Sequence, residues 1–455
     1  MASIKEQLLK VFRRRKYIQD DLQHNSDQFP GTSKNERKIE AIIGLDFGTA
    51  FTKVVVGVGN DRYAISFNKF STKNEYLLPS ILYLDENHDC HLGDKNQTEK
   101  KEDLKDDLIL KEPEQLTTEK LYSIIFFLSL SLQHTRYQFM YENWDRFSER
   151  KIDWSLHIGM PAVSFSDEHK KVIELYKFMG TLAWEYSLNK DPLNYKTASD
   201  NPPNPKKSSI NVNALAECDA MLLSYENSAY YAAGHHILID IGAGTTDASY
   251  ISIHEQAEDD RLTHTLYDKS VENFGSVMLL NFLSEKTQGD NKWDRIADFP
   301  DDDTLLVELN INNTKLETYK QEFLNHYHFQ LDQLWGEAFN YHIRHNDLDI
   351  RRLNTGEIKI TYFVAGGGSN IDIYTKETEK FASEKKFPIE KMNYPELIQL
   401  RPTSIDEETS KRLTVAYGLS FSEHDFPRVQ TDIEADQPEE VSGDFRNRYI
   451  GTEQT

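Results

Sequence analysis

The sequence predicts an α/β protein. Three observations carry that: apolar runs that close on turns of small residues, stretches of helical length between them, and one strand–turn–strand texture that occurs twice. An apolar run from Ala41 to Leu45 meets a turn at Asp46–Ala50, and a Val-rich run to Val58 meets Gly59-Asn60-Asp61 before Tyr63–Phe67, which reads as an antiparallel meander. The texture recurs over His236–Ile253, again with Asp followed two residues later by Gly, so the chain reads as two related halves. Helices are expected over Thr118–Met140 and Asp167–Tyr186, with a strand at Trp154–Gly159 between them. Asp191–Asn211, rich in Asn, Pro, Lys and Ser, reads as a surface loop or flexible insertion. Beyond Asn313 the chain reads as helical, and Ile358–Val364 as a strand running into Gly366-Gly367-Gly368-Ser369.

Composition narrows the function. At 455 residues the chain is long enough for two or three compact units. A net charge of −23 disfavours contact with a nucleic-acid backbone. Two distant cysteines, Cys90 and Cys218, provide neither a disulfide framework nor paired zinc ligands, which fits a cytoplasmic protein. The longest apolar run, Ile124–Leu132, falls short of the roughly 18 residues of a membrane span and reads as a buried helix. No targeting signal is read at the N-terminus. Residues 1–17 set Lys5, Lys10, Arg13, Arg14, Arg15 and Lys16 beside Ile4, Leu8 and Phe12, a basic amphipathic helix that either packs on its own domain or docks a protein partner. The pairs His235/His236, His326/His328 and His342/His345 lack completing ligands and read as packed or surface histidines.

The two turns carry chemistry. Gly44-Leu45-Asp46-Phe47-Gly48-Thr49-Ala50 and Asp240-Ile241-Gly242-Ala243-Gly244-Thr245-Thr246-Asp247 each end an apolar strand in Asp and continue through small residues. Such turns bring backbone N–H groups close to an anion, so two of them facing each other suit a polyphosphate. There is neither a Gly-x-x-x-x-Gly-Lys loop nor a Gly-x-Gly-x-x-Gly motif.

Taken together, in this order, the segments resemble the nucleotide-binding domain of the 70-kDa heat-shock proteins, within the actin-like ATPase superfamily. Further likenesses are Leu78-Pro79-Ser80, Leu92–Gln97, Ile158–Asp167, Ala216-Glu217-Cys218-Asp219-Ala220, Phe363–Ser369 and Val415–Leu419. The resemblance covers about residues 41–422. It implies two lobes, each built on a ribonuclease-H-like α/β unit, around a nucleotide cleft. Lobe I would run over 41–236 and lobe II over 237–410, with a helix over 411–423 returning to lobe I. The basic helix and polar linker would occupy 1–40, and an acidic, disordered tail 424–455.

The resemblance also implies roles. ATP or ADP would bind with Mg2+, which Asp46 and Asp240 would hold through water, with Asp247 supporting the second turn. Gly48, Thr49, Ala50, Gly242, Ala243, Gly244, Thr245 and Thr246 would line the phosphates. Glu217 would orient the attacking water, and Gly366, Gly367, Gly368 and Ser369 would receive the adenosine. For the transferred phosphate three lysines stay open: Lys53, at an actin-like spacing of seven residues from Asp46, then Lys105 and Lys111. The implied activity is slow ATP hydrolysis that regulates a protein partner. No peptide-holding domain is read after Gly418, so an ordinary folding chaperone is not expected. The alternatives are an actin-like filament ATPase, a small-molecule kinase of the same superfamily and a nucleotide-binding scaffold without turnover, the last consistent with Ala243 in place of a family glycine.

Overall fold

The computed structural model describes residues 38–71, 73–93, 98–106, 108, 115–147, 150–161, 167–189, 191–200, 202–208, 210–229, 231–232, 234–255, 262–288, 293–345, 355, 359–392, 396–426 and 428–430. The expected basic helix over 1–17, the linker, Lys111, residues 94–97 and 162–166, and the acidic stretch beyond 430 lie outside them.

The chain opens with the meander β1 (Lys38–Phe47), β2 (Phe51–Val58) and β3 (Asp61–Ala64). β4 (Leu78–Pro79) pairs back onto β2, and β5 (Leu82–Leu84), β6 (Cys90–His91) and β7 (Glu99–Lys101) make a small sheet of their own. Next come α1 (Thr118–Glu142), α2 (Trp144–Phe147), β8 (Lys151–Met160), α3 (Asp167–Ser187), α4 (Tyr195–Asp200), β9 (Asn211–Ala216) and α5 (Glu217–Glu226). The second half holds β10 (Gly234–Ile241), β11 (Thr246–Glu255), β12 (Leu262–Glu272), α6 (Ser276–Lys286), α7 (Asp302–Glu308), α8 (Asn313–His345), β13 (Ile360–Ala365), α9 (Asp372–Glu384) and β14 (Ile389–Lys391). It ends with β15 (Leu400–Arg401), α10 (Glu407–Arg412), α11 (Thr414–Leu419) and β16 (Arg428–Gln430).

The two large sheets share one topology. The first runs β15-β3-β2-β1-β8-β9 and the second β16-β12-β11-β10-β13-β14. In each, three antiparallel strands are extended by two parallel ones on one side and by a short parallel strand on the other.

Strand alternation sorts the faces. Ile43, Leu45 and Phe47 join the first core with α1 and α3, whereas Ile237, Ile239 and Ile241 join the second core with α6, α8 and α9. The opposite faces turn toward a middle layer of α5 and α11. Met221, Leu222 and Tyr225 of α5 pack on Leu238, Ile251 and Phe363 of the second sheet, while Ala416 and Tyr417 of α11 cluster with Val55 and Ala64 of the first. Asp46 shares the face of Gly44, and Asp240 that of Leu238, so the period of two turns both acids toward this layer.

Glycines set its thickness. A Cβ at Gly44 would lie 2.4 Å from the Ala416 carbonyl, and one at Gly57 2.0 Å from that of Ser420, so α11 rests almost on the sheet backbone. The two middle helices cross equally closely, since a Cβ on Gly418 would stand 1.8 Å from the Ala220 carbonyl.

Three segments show their detail in the structure. Asp191–Asn211 is not a free loop: it contains α4, its Tyr195 hydroxyl bonds the Glu119 carbonyl at 2.8 Å, and Leu193 is buried in the first core. The chain returns to the first sheet by Leu400, ahead of 410, because Leu397 and Leu400 bury against Val55 and Ala64. Within the expected tail, Arg428–Gln430 pairs in parallel with Thr263–Thr265 of β12.

Gly418→Ala is expected to destabilise by about 3 kcal/mol, at the upper end for an overpacked site, because the clash is with backbone. Gly336→Ala, on α8 with open space around it, is expected to add up to about 1 kcal/mol through helix propensity. Urea midpoints of the two variants check the contrast.

Buried His134 on α1 bonds the Ser66 carbonyl at 2.8 Å, and burial pushes its pKa down to about 4, with Lys69 adding to the effect. The unfolded chain takes up this proton first, so its contribution to stability is complete above pH 6.5 and is lost as pH falls toward 4. The shift corresponds to about 3 kcal/mol. Denaturation of wild type and His134→Gln at pH 7 and pH 4 is expected to show a smaller pH-dependent loss in the variant.

Candidate functional site

The two predicted turns meet. Gly244 faces Thr49 so closely that a Cβ there would lie 3.0 Å from the Thr49 hydroxyl, which brings the β1–β2 and β10–β11 hairpins tip to tip. Each is braced by its own half. Ser80 donates to the Gly48 carbonyl at 2.7 Å and its backbone N–H to the Ala50 carbonyl at 2.9 Å, so the Pro-Ser strand shapes the first turn. In the second, Gly242 and Ala243 carbonyls take the N–H groups of Ser276 and Val277 at 3.0 and 2.9 Å, tying the turn to the start of α6.

Register places an acid at the same point of both hairpins with different partners. Asp46 faces Lys53 across β1–β2, and their side chains pair at 2.8 Å. Asp240 faces Asp247 across β10–β11. Like charges directly opposite each other on a sheet repel. Burial, then the charges of Glu217 and Asp46, raise the Asp240 carboxyl to about 7, against the pull of Lys53 and Lys105. Asp247 is raised for the same reasons, burial first and then Glu217 and Asp240. One Asp247 oxygen accepts from the Thr245 hydroxyl at 3.1 Å, and the other is buried with no hydrogen-bond partner among the described residues.

Glu217 opens α5 and approaches from the middle layer. Gly159 at the end of β8 makes room, since a Cβ there would sit 3.1 Å from the Glu217 side chain. Lys105 reaches Glu217 at 2.7 Å with both residues buried, at 4% and 7% exposure. Burial opposes the lysine's charge, but Glu217, then Tyr176 and Asp46, more than offset it and raise its pKa. Four carboxylates (Asp46, Glu217, Asp240, Asp247) thus gather around two ammoniums (Lys53, Lys105).

The remaining predicted residues divide. Gly366 follows β13 at φ +83°, and a Cβ would come within 2.1 Å of the Asp240 carboxylate, so only glycine fits this turn. Gly368 packs on Ile241, while Ser369 spends its hydroxyl on the Gly366 carbonyl at 2.7 Å. Thr246 is fully buried and offers its carbonyl to Gln330, so its side chain does not line the turn's open side.

Two neighbours were not read from the sequence. Tyr176 on α3 is buried in the field of Lys105, Glu217 and Asp247, and its hydroxyl has no partner among the described residues. Arg412 on α10 lies beside Gly367, and its buried Nε has no hydrogen-bond partner among the described residues. Neither sits in a local motif; a helical Tyr and an Arg after two glutamates look like ordinary packing and capping residues. Among the described residues no three or more His, Cys, Asp or Glu side chains form a metal cage, and no helix is long and apolar enough to cross a membrane.

No protein-family model matches the chain, and no curated protein matches it.

Removing one member of the Lys105–Glu217 pair leaves a buried charge uncompensated, which costs about 3–5 kcal/mol. Lys105→Met is therefore expected to lower stability by that order, and Lys105→Met/Glu217→Gln by less than the single change. Equilibrium unfolding of the two proteins checks this.

Proposed function

We propose that the chain is an ATP-binding switch of the 70-kDa heat-shock type, an actin-like two-lobed ATPase that hydrolyses Mg-ATP slowly and regulates a protein partner. The observation that carries the reading is the meeting of the two hairpins, with Asp46–Lys53 on one side, Asp240–Asp247 on the other and Lys105–Glu217 between the layers. The repeated sheet topology and the middle layer of α5 and α11 support the two-lobed fold.

The residues fit a magnesium-bound polyphosphate. Burial, with the neighbouring carboxylates adding to it, raises both Asp240 and Asp247, and one Asp247 oxygen has no hydrogen-bond partner among the described residues. Magnesium takes few protein oxygens and keeps several waters, so Asp46 and Asp240 would hold it through water, without a cage of three side chains. Once bound with the nucleotide it supplies the positive charge that the phosphates require.

The chain's own groups do the rest. Backbone N–H groups of the turns at Gly48–Ala50 and Ala243–Thr245 cradle the phosphate oxygens, while the Gly242 N–H closes the second turn on the Thr245 carbonyl. Glu217, held by Lys105, accepts a hydrogen bond from the attacking water and fixes its direction. Lys105 and Lys53 are each released from a carboxylate when phosphate oxygens compete for them, which stabilises charge on the transferred group. Gly366–Gly368 offers a flat backbone surface to adenosine, with Arg412 at its edge. Opening and closing of the halves would then be read by a partner as a change of surface.

An actin-like filament is the second reading, favoured by Lys53, whose pairing with Asp46 follows the seven-residue spacing. Pelleting that depends on protein concentration and ATP would select it.

Phosphate release by the wild type, Asp46→Asn and Glu217→Gln tests the proposal, alongside binding of a fluorescent ATP analogue with magnesium and with EDTA. Binding is expected to need magnesium, and both variants are expected to lose about 100-fold in turnover. Equal, near-zero turnover in all three proteins would leave a scaffold; no binding would end the nucleotide reading.

A further inference from the structure

The two halves also touch beside Lys105. Arg295 lies between α6 and α7, on a segment fastened to the second half: Trp293 donates to the Ser284 hydroxyl at 2.6 Å, and Trp293 and Phe299 pack on the second core. From there its guanidinium reaches the first half. Nε stands 3.0 Å from an Asp103 oxygen and Nη1 2.8 Å from an Asp106 oxygen.

These two acids bracket Leu104 and Lys105. Leu104 is fully buried in the first core, and Lys105 leaves the same turn toward Glu217. Asp103 takes φ +58°, a left-handed conformation that costs a non-glycine residue about 1 kcal/mol and persists where its surroundings hold it. The Lys120 ammonium, bonded to the Asp103 carbonyl, holds that backbone from within the first half. The cation paired with Asp103 and Asp106, Arg295, comes from the other half.

We propose that Arg295 is a positioning residue for Lys105: reaching over from the second half, it fixes the Asp103–Asp106 turn, so that Lys105 is seated on Glu217 only while the two halves are apposed. Exposed ion pairs contribute little, and the same segment supplies the contrast. Lys73–Asp298 also joins the halves, at 2.9 Å, but with side chains 50% and 88% exposed. Arg295 is 21% exposed and forks its donors onto two acids, a geometry that fixes direction as well as distance. Closure and placement of the lysine thereby become one event. The role of Lys105 at a phosphate rests on the proposed nucleotide reading; its seating by Arg295 does not.

Acetic anhydride labelling of the intact protein, followed by mass spectrometry of each lysine, separates the two. Buried Lys320, paired with Asp302 and Glu317 in the second half, reports whether each variant is folded. In Arg295→Ala, Lys105 is expected to label at least five-fold faster than in wild type while Lys320 is unchanged. Arg295→Lys is expected to restore part of the protection and Lys73→Ala to change nothing. Where Arg295→Ala exposes Lys320 as well, Asp103→Asn/Asp106→Asn replaces it, with the same expectation. Lys105 labelling within two-fold of wild type in a folded variant would overturn the proposal. In turnover assays Arg295→Ala is expected to lower kcat about ten-fold and KM for ATP less than three-fold. If the wild type neither binds nor hydrolyses ATP yet Lys105 labelling responds to Arg295, the positioning role stands and the nucleotide reading falls.

Discussion

The surplus of buried negative charge where the two hairpins meet constrains everything around it. Asp46, Glu217, Asp240 and Asp247 converge on two lysines, and burial, with the neighbouring carboxylates adding to it, raises the carboxyls of Asp240 and Asp247. Folding gains nothing from such an arrangement. A buried ion pair barely recovers its desolvation cost, and an acid set opposite another acid does not recover it. The duplicated register sharpens the point, because the position of Lys53 in the first hairpin is occupied by Asp247 in the second. A lysine there would have neutralised Asp240 as Lys53 neutralises Asp46. The sequence leaves that charge unbalanced where the two hairpins meet.

The fold exists in a form that can present these groups together. Two sheets of one topology each turn a face toward α5 and α11, and small residues keep that layer thin. Gly44 and Gly57 let α11 lie on the first sheet, and Gly418 lets it cross α5 at Ala220. Side chains at these points would part the sheets and draw Thr49 away from Gly244. α5 serves both halves at once: its apolar face packs on Leu238 and Phe363, and its first residue, Glu217, enters the acid cluster. The site is therefore an outcome of layer thickness as much as of its own residues.

How much of this could be read in the sequence follows from how local each feature is. Hairpins β1–β2 and β10–β11 were legible because apolar runs, a turn acid and small residues lie within a dozen positions. Lys53 stood out in the sequence by its actin-like spacing of seven residues from Asp46, and in the fold that spacing sets the two opposite each other across the hairpin. Pairing of Lys105 with Glu217 was not, since 112 residues separate them and a buried lysine looks in sequence like any surface one. Tyr176, Arg295 and Arg412 escaped for the same reason: each reaches the site from an element whose position only tertiary packing decides. Asp191–Asn211 misled in the other direction, because its turn-forming residues conceal the aromatic and apolar anchors Tyr195 and Leu193. The short strands β15 and β16 carry too few residues for any pattern, and their partners are formed more than a hundred residues earlier.

Placing the charged groups on separate elements also determines how the site can respond. Asp46 and Lys53 belong to one hairpin and move as a unit, as do Asp240 and Asp247. Lys105, by contrast, stands on a turn held from its own half by Leu104 and from the opposite half by Arg295, while its partner Glu217 begins a helix shared by both. A change in the angle between the halves leaves each hairpin pair intact and falls mainly on the Lys105–Glu217 contact. Of the interactions in the cluster, that one is built to depend on how the halves are set against each other. On the proposed reading, a ligand that bridges the two hairpins would bias the same angle, and its binding and the state of Lys105 would be joined through rigid elements without any flexible relay.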